Sequence, residues 1–190
     1  MAVESRAFQS LSTIIVSLVA TSIPASLALA GGFLWTTRVE WAWTLLGAVL
    51  LDTCVLQLKG LLQQPRPVQH AAYVLPSEGP FGMPSEHAAF AGFLLGQLHA
   101  RQPRLAAAGF SRGFRACAMC LLALWAAGIL CMRYITGAHS IVQLLAGAAS
   151  GIGASSAWSK LEEGPLADAM VASQCFADST RRCVAALYGF

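Results

Sequence analysis

Residues 82 to 95 read GMPSEHAAFAGFLL, and in this stretch a polar loop turns into an apolar segment. From Ala88 onward the side chains are small or apolar, whereas residues 76–85 are rich in proline, glycine and polar groups. A carboxylate, Glu86, and an imidazole, His87, stand at the junction. Ionisable groups at the mouth of an apolar segment are costly in a membrane, so they are candidates for function.

The composition of the chain indicates an integral membrane protein. Of its 190 residues, 56% are hydrophobic and 11% are charged, and the mean hydropathy is +0.61. Soluble domains average about 25% charged residues, so this chain has too few for a surface that faces water. The formal net charge of +3 is spread along the sequence without a basic run, and we therefore expect no nucleic-acid partner.

Hydrophobic segments predict the fold. They cover residues 11–35, 41–58, 87–100, 114–132 and 141–158, and most approach the roughly 20 residues that a helix needs to cross a bilayer. The third segment is short. Gly147 and Gly151 have the spacing that suits close helix packing in lipid. We predict an all-α, multi-pass transmembrane bundle of about five helices over residues 1–160.

The two ends of the chain need separate interpretation. The segment at 11–35 is long and lacks a convincing cleavage site, which favours a retained transmembrane helix over a signal peptide. Residues 161–190 are predicted to be a polar C-terminal tail, in which Met170 to Tyr188 has a weak amphipathic pattern.

The basic residues predict an orientation. If the second helix ends at Lys59 on the outer face, eight of the twelve basic residues lie on the inner face, as the positive-inside tendency favours. These eight are Arg38, Arg101, Arg104, Arg112, Arg115, Lys160, Arg181 and Arg182. The outer face keeps Arg6, Lys59, Arg66 and Arg133, and the last three stand at membrane ends where cations are disfavoured.

The candidate polar and ionisable side chains lie in three predicted outer loops. These loops supply two guanidinium groups, an ammonium, a hydroxyl and two imidazoles: Arg66, Arg133, Lys59, Ser85, His87 and His139. Guanidinium forks match phosphate oxygens, an ammonium adds a point charge, and the start of a helix completes an anion site. One neutral imidazole could attack phosphorus while the other protonates the leaving oxygen. We predict a phosphate site that uses no metal and no cofactor.

Each of these residues also has an ordinary structural interpretation. Lys59 and Arg66 could be interfacial anchors, and a single histidine at a helix end is often only a cap. His70 and His99 have no comparable neighbours, and we assign them no role. Asp52, two turns before Lys59, is expected to face the bundle interior and pair with a cation. The convergence of three loops on one face favours the functional interpretation.

The same residues carry a family resemblance. Lys59-x-x-x-x-x-x-Arg66-Pro67, Pro84-Ser85-x-His87 and Arg133-x-x-x-x-x-His139 resemble the three signature blocks of the type 2 phosphatidic acid phosphatase and haloperoxidase superfamily. The resemblance implies a helical phosphatase with a phosphohistidine intermediate, in which His139 is the nucleophile and His87 the general acid. Lys59, Arg66, Ser85 and Arg133 would hold the phosphoryl group, and Pro67 and Pro84 would support it.

Two positions depart from the superfamily pattern. Glu86 stands where glycine is usual, and Gln143 stands where an aspartate usually orients and charge-stabilises the nucleophilic imidazole. An amide could orient the imidazole but adds no charge. The dolichyldiphosphatase branch has glutamine at the position of Gln143. Residues 62–67 (LQQPRP) and 81–90 (FGMPSEHAAF) are also similar to the signature blocks of that branch. Glu86, and Met132 in place of a common serine, still depart from that branch.

This resemblance implies a dolichyldiphosphatase that hydrolyses dolichyl diphosphate to dolichyl phosphate and phosphate. The reaction would recycle the carrier lipid of protein N-glycosylation, in the endoplasmic reticulum membrane, with the active site facing the lumen. Its partners would be the polyprenyl lipid and the bilayer. The alternatives are another lipid phosphate phosphatase of the same superfamily, acting for example on a sphingoid or prenyl phosphate, and a non-catalytic membrane protein that binds lipid phosphate.

Overall fold

The computed structural model describes residue 27 and residues 30–32, 38–67 and 79–188. From residue 38 onward these residues form six helices: α1 Val39–Leu62, α2 Glu86–Ala100, α3 Gln102–Ala107, α4 Arg112–Ile135, α5 Ile141–Glu163 and α6 Ala167–Tyr188. Within the described part of the chain the only strand-like pairing is an isolated bridge between Pro65 and Phe81. The prediction of an all-α fold is therefore confirmed for these residues. The helix predicted at 11–35 lies almost entirely outside them.

Three of the described helices, α1, α4 and α5, are long and apolar enough to cross a membrane. Their 23 or 24 residues correspond to roughly 35 Å of helix, which exceeds the hydrocarbon thickness. Large apolar side chains such as Val49, Leu121 and Leu124 are exposed on their surfaces, which is how a helix meets lipid tails. The chain is a multi-pass membrane protein.

Helix α2 is the centre of the bundle. Its 15 residues span only about 22 Å, and it packs against α1, α4 and, most extensively, α5. Every residue from Ala88 to Leu94 is buried, as expected of a helix that is apolar all round. Phe93 lies in a core cluster with residues of α1 and with Trp158 of α5. A central position explains why a helix too short to span the bilayer is nevertheless so apolar.

Glycines allow α2 and α5 to approach closely. A Cβ atom at Gly151 would overlap the carbonyl oxygen of Ala89, and one at Gly147 would overlap that of Ser85. On the opposite helix, a Cβ at Gly92 would lie 2.5 Å from the Ala148 carbonyl oxygen. The backbones of the two helices are therefore in contact along their length, which fixes the N-terminus of α2 beside the N-terminus of α5.

The C-terminal end of α2 is held by charges at the opposite end of the bundle. Arg101 Nη2 lies 3.0 Å from Glu162 Oε1, and the same guanidinium donates to the Thr44 hydroxyl. Within the segment predicted as a polar tail, α6 lies against α1, and the Val39 N–H donates to Gln174 Oε1 at 3.0 Å. These contacts anchor the end of the bundle that carries Arg101 and Arg104.

Candidate active site

Three loops meet at the N-terminal end of α2. Hydrogen bonds join the segment after α1 to the segment before α2, from Gly82 N–H to Gln64 O at 2.8 Å and from Arg66 N–H to Pro80 O at 3.3 Å. The Ser85 N–H donates to the Gln143 carbonyl oxygen at 3.1 Å, which ties the second segment to the start of α5. Backbone contacts alone thus bring together the three segments that the sequence analysis placed on one face.

Gln143 fastens the loops through its side chain. With Ser140 it forms a capping box: the Ser140 N–H donates to Gln143 Oε1 at 3.1 Å, while the Gln143 N–H donates to the Ser140 hydroxyl. The other end of the amide donates to Pro65 O at 3.0 Å and to Gln64 Oε1 at 3.2 Å. None of its hydrogen bonds within the described residues goes to an imidazole. The capping box turns the side chain of Gln143 back to the start of α5, so its supporting role stays a prediction and would act through the loops that it links.

The imidazole of His139 is oriented by a backbone carbonyl instead. His139 is 1% exposed, and its Nδ1 lies 2.9 Å from the Gly82 oxygen. Because a carbonyl oxygen only accepts, Nδ1 carries the proton, and this tautomer is assigned from its partner. Nε2 then presents its lone pair to Arg66 Nη1 at 3.1 Å and to Arg133 Nη2 at 3.4 Å. The ring nitrogen that could attack phosphorus is therefore the one that faces the guanidinium groups.

The electrostatic environment keeps this imidazole neutral. Burial, followed by the charges of Arg133, Arg66 and Lys59, lowers the pKa of His139 from 6.5 to about 3. The hydrogen bond to Gly82 acts in the opposite direction but is weaker. An unprotonated Nε2 is what a nucleophilic histidine requires, and here it is present across the whole physiological pH range.

Three buried cations surround the imidazole. Arg66 is held by its Nε on Gly79 O and by its Nη1 on Ala138 O, both at 3.0 Å, so it bridges two loops. Arg133, in the last turn of α4, and Lys59, in the last turn of α1, are buried as deeply. Buried charges are costly unless they are balanced. A cluster of three cations near a neutral imidazole therefore has the electrostatics of an anion site.

Ser85 and His87 flank the first turn of α2. Ser85 is fully buried and caps the helix, since its Oγ accepts from the Ala88 N–H at 3.4 Å. Its hydroxyl proton remains available for a donor role. His87 is the second residue of α2 and is half-buried. Pro84 is buried directly before the cap, whereas Pro67 is exposed at the end of a described segment.

Asp52 is not where the sequence analysis expected it. It is exposed on the surface of α1 instead of facing the bundle interior, and within the described residues it forms no ion pair. The buried stripe of α1 runs through Leu51, Val55 and Lys59 at intervals of four residues. The stripe turns by about 40° with each step of four residues, so Asp52, seven residues before Lys59, is exposed beside it and lies within about 20° of Lys59 around the helix. The buried position expected for Asp52 is therefore not observed, and its supporting role beside a cation stays a prediction.

Sequence reasoning identified Glu86 as a departure but did not place it in the site. The structure puts its Oε1 2.5 Å from Lys59 Nζ, and both side chains are largely buried. The Gly82 carbonyl, which orients the nucleophile candidate, was also missed, because backbone atoms leave no signal in a motif. In residues 38–67 and 79–188 no group of three His, Cys, Asp or Glu side chains is placed to hold a metal ion.

Comparisons with known proteins agree with this geometry. The sequence profile described as the PAP2 superfamily matches residues 41–163. A search of curated protein sequences gave no significant match. The fold is similar to the crystal structure of a transmembrane PAP2 type phosphatidylglycerolphosphate phosphatase from Bacillus subtilis, with a TM-score of 0.61 and 18% identity over 82% of this chain and 77% of that one. Because the profile covers well over half of the sequence, including all three loops of the candidate site, the chain belongs to the PAP2 superfamily.

Proposed function

We propose that this protein is a lipid phosphate phosphatase whose substrate is dolichyl diphosphate, which it converts to dolichyl phosphate and inorganic phosphate. The observation that carries the proposal is the unprotonated Nε2 of buried His139, which faces the guanidinium groups of Arg66 and Arg133. A neutral imidazole held against two cations suits attack on a phosphoryl group, because the cations stabilise charge that develops on its oxygens.

In the proposed reaction His139 is the nucleophile and His87 the general acid. His139 Nε2 attacks the terminal phosphorus, so that a P–N bond forms while the bond to the bridging oxygen breaks. His87 gives its proton to that oxygen, and dolichyl phosphate leaves. Water then attacks the phosphorus of the phosphohistidine and gives a proton to His87, the P–N bond breaks, and phosphate is released from the restored His139. Lys59, Arg66, Arg133 and Ser85 hold the non-bridging oxygens in both steps.

The Gly82 carbonyl takes over part of the task of the usual aspartate. When Nε2 becomes bonded to phosphorus, the imidazole acquires positive charge, and the Nδ1–H bond to the Gly82 oxygen strengthens. A carbonyl dipole stabilises this charge less than a carboxylate would. We therefore expect a slower first step than in superfamily members that have the aspartate.

The choice of a diphosphate rests on the sequence blocks. Gln143 and the LQQPRP segment are the features that resemble the dolichyldiphosphatase branch, and they contact each other through the Gln143 bonds to Gln64 and Pro65. The apolar surfaces of α1 and α4 allow a polyprenyl chain to remain in the bilayer while its diphosphate reaches the cations. The membrane would be that of the endoplasmic reticulum, with the site facing the lumen.

The test is a phosphate-release assay on purified protein in lipid vesicles. Dolichyl diphosphate, dolichyl phosphate and phosphatidylglycerol phosphate are compared side by side, with and without a chelator. We expect the diphosphate to be turned over fastest and the chelator to have no effect. The His99→Ala variant, altered at the opposite end of α2, is the matched control and should keep full activity.

Other results of this assay would indicate other functions. Faster release from a monophosphate would place the protein with other lipid phosphatases of the superfamily, and chelator-sensitive release would contradict the metal-free mechanism. A second candidate, binding of lipid phosphate without turnover, is favoured by one observation: the carboxylate of Glu86 on Lys59. Tight binding with no phosphate release from any of the three lipids would select it.

A further inference from the structure

Glu86 places an anion inside a cluster of cations. It is the first residue of α2, and its Oε1 lies 2.5 Å from Lys59 Nζ in the last turn of α1. The side chains are 18% and 7% exposed, respectively, so water screens the pair only weakly. Burial and the charges of Arg133, Arg66 and Lys59 together lower the pKa of His139, so the ammonium that Glu86 engages also acts on the nucleophile candidate.

The pair changes the charge that an incoming anion meets. Lys59, Arg66 and Arg133 supply three positive charges, and Glu86 removes one, so the cluster carries a net charge of two. A carboxylate and a phosphoryl oxygen accept hydrogen bonds from the same ammonium donors. They also repel each other when both are close to it. Glu86 and a bound phosphate are therefore competing ligands of Lys59.

We propose that Glu86 is an internal competitor for the phosphate site, one that weakens the binding of inorganic phosphate by engaging Lys59. The inference rests on the proposed function, since it requires that the cation cluster binds phosphate. The carboxylate also competes with the phosphoryl group of a lipid, but the lipid stays in the bilayer beside the site, whereas inorganic phosphate can leave into water. Glu86 thus favours release of the free product.

A purely structural role for Glu86 makes a different prediction. A carboxylate in the first turn of a helix stabilises that helix through its dipole, whether or not a ligand binds nearby. In that case, replacement of Glu86 would lower the unfolding temperature and leave the affinity for phosphate unchanged or weaker. Competition predicts that the affinity for phosphate rises.

The experiment measures binding of inorganic phosphate to the full-length protein by titration calorimetry, without any lipid substrate. Glu86→Gln removes the charge but keeps the size of the side chain, and Glu86→Ser provides a second variant if the first does not fold. We expect both to bind phosphate about tenfold more tightly than the unmodified protein, a change of about 1.4 kcal/mol. The double variant Lys59→Gln/Glu86→Gln should lose this gain. Glu163→Gln, in an exposed ion pair at the other end of the bundle, is the matched control and should change nothing.

Unchanged or weaker phosphate binding in both Glu86 variants would overturn the inference, as would a gain that survives the loss of Lys59. Turnover of lipid phosphate is measured separately. If the protein releases phosphate from lipids but the variants bind phosphate no more tightly, the proposed function stands and the role of Glu86 fails. If no lipid is hydrolysed but the variants bind phosphate more tightly, the role of Glu86 stands and the proposed catalysis fails.

Discussion

Gly82→Ala should damage both the stability and the activity of this protein, although only one methyl group is added. A Cβ atom at position 82 would lie 2.5 Å from Gln143 Oε1 and 2.8 Å from both Cδ and Nε2 of the same amide. The end of a long side chain usually moves aside at little cost. Here it is fixed by its hydrogen bonds to Ser140, Gln64 and Pro65.

The expected loss of stability follows from the hydrogen bonds of the Gln143 amide. If the amide moves, three side-chain hydrogen bonds are lost or weakened, each with a net value of about 1 kcal/mol, and the free energy of unfolding should fall by about 2–4 kcal/mol. The Gly82 carbonyl also moves, so the His139 imidazole loses the acceptor that orients it. Misplacement of a reacting group by about 1 Å can cost up to about 100-fold in rate, and we expect kcat to fall by about 10- to 100-fold.

A double-mutant cycle gives the sharpest assay. Thermal unfolding and lipid phosphate release are measured for Gly82→Ala, Gln143→Ala and the double variant. Because the first change acts through the Gln143 amide, it should cost little once that amide is removed, with a coupling free energy of about 2 kcal/mol. Gly153→Ala is the control, since nothing lies within 4 Å of a Cβ at that position. A Gly82→Ala protein with unchanged stability and kcat, or strict additivity in the cycle, would refute the reasoning.

Three further predictions follow from the bundle and its charges. Gly151→Ala should prevent the close contact of α2 and α5 and lower the unfolding temperature strongly. Gly153→Ala on the same helix should leave the unfolding temperature unchanged or slightly raised, and equal effects of the two changes would contradict the packing described above. Glu162→Gln breaks a buried ion pair and should lower the free energy of unfolding, measured with denaturant, by about 3–5 kcal/mol. Glu163→Gln, in an exposed pair, should lower it by less than about 0.5 kcal/mol, and an equally small effect of Glu162→Gln would argue against the buried pair. The pKa of His139 is lowered from 6.5 to about 3 in the folded protein, so the unfolded chain takes up a proton at a higher pH than the folded one. The free energy of unfolding should therefore fall as the pH drops from about 6.5 toward 3, by up to about 5 kcal/mol. His139→Asn should lose that share of the pH dependence when unfolding temperatures are compared at pH 7.5 and 4.5, and an identical pH dependence in both proteins would contradict the assignment.

The sequence predicted the parts of this structure that depend on hydrophobic segments and on motif spacing. Apolar segments at 41–58, 87–100, 114–132 and 141–158 overlap α1, α2, α4 and α5, whose ends extend up to five residues further because polar residues such as Lys59 and Glu162 continue the helices. The grouping of Lys59, Arg66, Arg133 and His139 was predictable because each sits beside the end of an apolar segment on one face.

The directions of individual side chains were not predictable in the same way. Whether Gln143 points to His139 or to Pro65 depends on a capping box whose geometry exists only after α5 has formed. The pairing of Glu86 with Lys59 joins residues 27 positions apart, and a single sequence contains no information on such a contact. The exposure of Asp52 likewise depends on which stripe of α1 its neighbours cover.

The central claim is that His139 is the nucleophile of a phosphatase, and His139→Ala tests it most directly. The variant and the unmodified protein are purified, their folding is compared by thermal unfolding at pH 7.5, and phosphate release from dolichyl diphosphate in vesicles is followed under saturating substrate. The account predicts a folded variant with phosphate release reduced by at least about 1,000-fold, because the group that forms the P–N bond is gone. A folded His139→Ala protein that releases phosphate at the unmodified rate would contradict it.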